Sequence, residues 1–87
     1  MSKLYIIAFG AGYDREALTS LFDRSSNAGI NFWFYCMPNS IFVKSTLSSQ
    51  GIYDLIVKNL GEDRILVSEI TRNRFGFLPT DQIDYFR

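Results

Sequence analysis

Lys3-Leu4-Tyr5-Ile6-Ile7-Ala8-Phe9 decides the fold. Read as a strand, its side chains alternate between two faces. Neither alternate set is polar beyond the ends, so both faces of this strand must be covered. Asn31-Phe32-Trp33-Phe34-Tyr35-Cys36 repeats the pattern with aromatics pointing both ways. The chain has 87 residues, enough for one modest core. Two short helices would cover one face of the sheet. The other face needs a partner subunit, a terminal segment or a ligand that stacks on rings.

Working outward, Gly10-Ala11-Gly12 ends the first strand as a turn. Asp14 is placed to cap a helix whose apolar positions are Ala17, Leu18, Leu21 and Phe22, with Ala28 in line further on. Gly29 is suited to a left-handed terminus. Residues 30–36 and 40–45 read as strands, joined at Pro38-Asn39 in a connection short enough for an antiparallel hairpin. Leu47-Ser48-Ser49 opens a second helix with Ile52, Leu55, Ile56 and Leu60 inward and Gly61 at its end. Residues 64–71 form the fourth strand. The order strand, helix, strand, strand, helix, strand is the ferredoxin-like split βαβ pattern, an α+β fold. Right-handed crossovers put both helices on one face of a four-stranded antiparallel sheet, with strands one and three central. We expect a single domain over 1–87. Residues 72–87 form a tail in which Thr80 to Phe86 make two helical turns, packed on their own or a partner subunit.

Nine basic and nine acidic residues cancel. That balance opposes a protein that coats a long duplex, while leaving room for a local basic patch. The absence of histidine removes Ser-His triads and histidine metal sites from this chain. Cys36, the single cysteine, permits no disulfide within the chain and reads as a small strand residue. The N-terminal apolar run is too short to span a bilayer and lacks a small-residue cleavage site. No membrane association and a cytoplasmic setting are expected.

The run Ser40-Ile41-Phe42-Val43-Lys44-Ser45, followed by Leu47-Ser48, Ile52 and Asp54, resembles small bacterial proteins of the SinR-like family. So do Asp63-Arg64-Ile65-Leu66-Val67-Ser68-Glu69-Ile70-Thr71, the pair Gly76-Phe77 and the aromatic end Tyr85-Phe86. These proteins belong with the CRISPR-associated adaptation-subunit superfamily, which includes VapD-type toxins. The resemblance implies a ferredoxin-like homodimer with facing sheets and C-terminal segments that often cross to the partner. Nuclease members carry an acid at the end of the first strand, where two subunits share a metal ion. The matching position here is Gly10.

Candidate sites follow. Asp14 and Glu16, doubled by a dimer axis, are the candidate catalytic and metal-binding acids, with Mg or Mn as the ion. Their simpler role is to complement the start of a helix. Arg72, Arg74 and Phe75, extended by Lys44 and Lys3, form a candidate nucleic-acid patch in which Arg binds phosphate and a ring stacks on a base. Tyr5, Phe9, Trp33, Tyr35 and Phe42 are expected to share the face away from the helices as a dimer interface. RNA-recognition domains use aromatics on the same sheet architecture, but Ser40-Ile41-Phe42-Val43-Lys44 lacks their glycines. Glu69 is expected in a structural ion pair. Ser45, Thr46, Ser48 and Ser49 form a hydroxyl-rich turn whose default use is helix capping.

The expectation is a homodimeric, non-catalytic module without a cofactor. Its partner would be RNA, DNA or a protein of a defence or mobile-element system. The alternative is a metal-dependent endonuclease or endoribonuclease with its site shared across the dimer. A small-ligand regulatory dimer is a third class, which no specific residue favours.

Overall fold

The computed structural model describes residues 2–71. The elements are β1 (Lys3–Phe9), α1 (Arg15–Asp23), a short 3₁₀ turn (Ser26–Ala28), β2 (Ile30–Met37), β3 (Ser40–Ser45), α2 (Ser49–Leu60) and β4 (Ile65–Glu69). The strands form one antiparallel sheet in the order β2-β3-β1-β4. The two long-range strands β1 and β3 are therefore central, and the split βαβ order has its expected ferredoxin-like form.

Both helices start by the same device. Asp14 caps α1 by accepting from the Glu16 amide, and Ser48 caps α2 by accepting from the Gly51 amide. Before each cap stands an apolar residue, Tyr13 or Leu47. Three residues into each helix beyond N1 lies a buried one, Leu18 or Ile52. This spacing is that of the hydrophobic staple, which fixes the entry angle of the chain. Ser25 stops α1: its hydroxyl donates to the Leu21 carbonyl and its amide donates to the Phe22 carbonyl. The helix consequently ends at Asp23, and Ala28 falls in the 3₁₀ turn as an exposed residue rather than on the helix's apolar line. Gly29 does adopt the left-handed conformation expected of it, at φ 111°.

The core lies between the sheet and the helices. Tyr5, Ile7 and Phe9 of β1 and Ile41 and Val43 of β3 meet Leu18, Leu21 and Phe22 of α1 and Ile52 and Ile56 of α2. The parity of the β1–β3 pairing selects these side chains. Tyr5 lies opposite Val43 and Ile7 opposite Ile41, whereas Ile6 lies opposite Phe42.

Two irregularities on β2 change which face its residues occupy. Ile30 pairs with Ser45 but Phe32 pairs with the adjacent Lys44, so Asn31 is an extra residue. Ile30 thereby enters the core, while Phe32 points away from the helices. A second shift between Phe34 and Met37 keeps Met37 on that same outer face, beside Ser40. Asn31 is held by a hydrogen bond from the Ser2 hydroxyl, 2.6 Å.

Ser45 joins three segments. Its buried hydroxyl donates to the Gly29 carbonyl at 2.7 Å and accepts from the Leu47 amide at 2.9 Å. A Ser45→Ala variant leaves both groups without that partner. We expect it to lose about 1–3 kcal/mol of stability, read as a lower urea midpoint with an unchanged slope.

Candidate functional site

The helix-free face of the sheet is the candidate site. The strand registers place Leu4, Ile6 and Ala8 of β1 there, with Phe42 and Lys44 of β3, Phe32, Phe34 and Met37 of β2, and Leu66 and Ser68 of β4. Three rows cross the sheet. One is Phe32, Lys44 and Leu4. The next is Phe34, Phe42, Ile6 and Ser68. The last is Met37, Ser40, Ala8 and Leu66. Phe34 and Phe42 stack with centroids 5.0 Å apart, and Phe32 sits 6.0 Å from Phe34.

Exposure is uneven across this face. Leu66 is 63% exposed and Phe32 39%, yet Phe34 is 8% and Phe42 3% exposed. Lys44 is half-buried beside Phe32. A ring next to a cation on an open sheet can stack on a base while the ammonium meets a phosphate.

Four of the five aromatics expected on this face lie elsewhere. Tyr5 and Phe9 are core residues on the helix side, buried at 2% and 7% exposure. Tyr5 also spends its hydroxyl on the Leu47 carbonyl, 2.8 Å. Trp33 lies opposite Val43, on the helix side, and donates its indole N–H to Asp23 of α1 at 2.6 Å. Tyr35 stacks parallel to Trp33 at 6.2 Å and carries the Arg15 guanidinium over its ring at 4.1 Å. These two rings therefore bind β2 to α1. Only Phe42 of the five is on the helix-free face. The physical reason is register: Phe42 faces the same way as Ile6, so it cannot share a face with Tyr5 or Phe9.

The end of β1 is tied to the residue that precedes β4. The Gly10 amide donates to the Arg64 carbonyl at 2.9 Å, and a Cβ at Gly10 would approach Arg64 Cβ to 3.2 Å. Nearby, Tyr13 donates its hydroxyl to the Gly61 carbonyl at 2.6 Å and accepts from the Asp63 amide at 2.9 Å. This tyrosine, which sequence reasoning passed over, ties the turn after β1 to the turn before β4. Its signal in the sequence was a large apolar residue directly before the Asp14 cap.

Asp14 and Glu16 are both exposed in the first turn of α1, and Asp14 accepts from the Glu16 amide at 3.2 Å. Among the described residues no three His, Cys, Asp or Glu side chains gather where they could hold a metal ion. Arg72, Arg74 and Phe75 lie outside the described residues, as does the side chain of Cys36. Glu69 pairs with Lys3 at 3.8 Å across exposed surface, as its sequence setting suggested; such a pair contributes little to stability. The two line an open hollow of about 240 Å³ with Thr46, Ser48 and Ser49. Ser45 and Ser48 serve the backbone there, as expected of a capping turn. On α2, Tyr53 donates to Glu62 at 2.7 Å, and this hydrogen bond to a carboxylate raises the phenol's pKa.

No described helix is long and apolar enough to cross a membrane. Comparison with protein-family models, curated proteins and solved structures finds no match to this chain.

The geometry assigns Asp14 a capping role. Asp14→Ala is expected to cost about 1 kcal/mol, measured by thermal or urea unfolding. Asp14→Asn, which can still accept from the Glu16 amide, should recover most of that loss.

Proposed function

We propose that this chain is a small homodimeric, non-catalytic module that binds single-stranded nucleic acid, related to the adaptation-subunit superfamily. The observation that carries the reading is the apolar helix-free face, with Leu66 63% exposed next to the exposed Ala8. Exposed apolar surface that continues across neighbouring strands marks an interaction site more often than isolated residues do. A second copy offers a chemically matched cover, because the same strip of Leu4, Ile6, Ala8 and Leu66 would meet itself across a two-fold axis.

Phe32 beside Lys44 supports the nucleic-acid part of the reading, since stacking plus phosphate contact is tolerant of sequence. Arg72 and Arg74 supply further cationic groups just beyond β4 in the chain. The non-catalytic part draws on Gly10, which carries no side chain where the resemblance places an acid at the end of β1. It also draws on the engagement of Asp14 with the backbone.

Sedimentation velocity over rising concentration is expected to show particles of two 10.0 kDa chains. Leu66→Glu should weaken their association by about 30-fold or more, because burying a leucine contributes roughly 2 kcal/mol and each 1.4 kcal/mol is a factor of ten. A wild-type chain that stays monomeric throughout would overturn the dimer. Labelled single-stranded RNA and DNA, with and without magnesium or manganese, test the ligand. Binding without cleavage, weakened several-fold by Lys44→Ala and by Arg72→Ala with Arg74→Ala, is expected. Metal-dependent cleavage lost in Asp14→Ala would establish the endonuclease instead. A dimer with no affinity for nucleic acid would point to a protein partner.

A further inference from the structure

A hollow of about 330 Å³ lies at the β2 edge of the sheet, where the extra residue Asn31 interrupts the strand beside the end of α1. The buried side chains of Phe22 and Ile30 give its lining an apolar part. Trp33 adds an indole, and Tyr35, stacked parallel to that ring at 6.2 Å, is not part of the lining. The indole surface in the hollow is therefore one that Tyr35 leaves open.

Asp23 sets the charge of this hollow. Among the described residues the lining holds this one carboxylate and no basic group. The Trp33 indole N–H donates to Asp23 Oδ1 at 2.6 Å and fixes the carboxylate against the ring. Oδ2 accepts no hydrogen bond among the described residues. Asp23 is also the last residue of α1, where the helix dipole disfavours a negative charge. The last turn of α1 holds no basic residue, and among the described residues Asp23 forms no ion pair, not even with the neighbouring Arg24. Ser26 supplies a hydroxyl acceptor, and Asn31 a carbonyl oxygen that already takes the Ser2 hydroxyl at 2.6 Å.

We propose that this hollow binds a small organic cation, a guanidinium or alkylammonium group on a short apolar stem. Asp23 Oδ2 accepts the N–H groups of the cation in charge-assisted hydrogen bonds. The indole of Trp33 attracts the same charge through its π-face. Phe22 and Ile30 meet the stem. The volume lies near the lower end of the range for ligand sites, which suits a molecule of this size rather than a nucleotide. The same carboxylate repels anions. The site uses neither Lys44 nor Leu66, so it stands whether or not the chain dimerises or binds nucleic acid.

Trp33 is the single tryptophan of the chain, so its fluorescence and its indole N–H resonance report on this site alone. The full chain is titrated at fixed pH with n-butylguanidine and n-butylamine, and with n-butanol and butyrate as neutral and anionic counterparts of the same stem. Both cations are expected to give saturable changes in the millimolar range. n-Butanol should bind at least about tenfold more weakly, because a hydrogen bond to a charged group contributes about 1.5–3 kcal/mol and 1.4 kcal/mol is a factor of ten. Butyrate should give no saturable change. Asp23→Asn keeps an oxygen to accept from the indole and removes the charge; it should weaken n-butylguanidine by a similar factor while the indole resonance of the unliganded protein stays dispersed. Equal affinity for n-butanol and n-butylamine in the wild-type chain would overturn the proposal, and this comparison needs no variant. Undiminished cation binding by Asp23→Asn, or no saturable response of Trp33 to either cation, would overturn it as well.

Discussion

β1 imposes the constraint on which the structure depends. It is hydrogen-bonded on both edges, to β3 and β4, and carries apolar side chains on both faces. The helices satisfy one face by burying Tyr5, Ile7 and Phe9. On the other face Leu4 and Ile6 are half-buried and Ala8 is exposed. Neither face can be exchanged for the other, because a one-residue slip would move the core set out and leave the caps and turns mismatched. Ser45 and Gly29 lock that register from the far side of β3, through the Ser45 hydroxyl and the Thr46 amide, both meeting the Gly29 carbonyl.

The two ends of the sheet are fastened by different chemistry. At the β1–α1 end, Tyr13 uses one phenol as donor and acceptor to join the turns flanking α1 and β4. At the α1–β2 contact the fastening is aromatic, with Arg15 on Tyr35, Tyr35 on Trp33 and Trp33 on Asp23. These groups place α1 over the edge strand β2. That explains how a nine-residue helix, marginal in isolation, is held over its whole length.

Element order and strand positions were legible because each strand is a dense β-branched or aromatic run bounded by turn residues, and each helix has a cap with an apolar residue before it. The register was not. Whether Phe42 shares a face with Ile6 or with Tyr5 depends on an odd or even offset between β1 and β3, which are joined through α1 and β2 rather than by a hairpin turn. Periodicity within a strand carries no information about that offset. The same limit hid the bulge at Asn31, which reverses the facing of Phe32 relative to Ile30. The apolar character of the helix-free face was thus visible in the composition of the strands, while its membership was decided by pairing. Gly10 was legible in a different sense: its lack of a side chain is plain in the sequence, but its approach to Arg64 appears only in three dimensions.

The edges of the sheet bear on how an apolar face can persist in water. β2 is an outer strand with Phe32, Tyr35 and Met37 each about two-fifths exposed, and it contains no lysine. Such a strand invites pairing with other chains. Its two register shifts interrupt the regular ladder and increase the local twist, which disfavours a continuous strand-to-strand match. β4, the opposite edge, is short and ends in Glu69 paired with Lys3, a charged stop of the kind that blunts edge pairing. Both edges of the sheet thus carry features that discourage strand-to-strand pairing, while the helix-free face keeps Leu66 and Ala8 exposed.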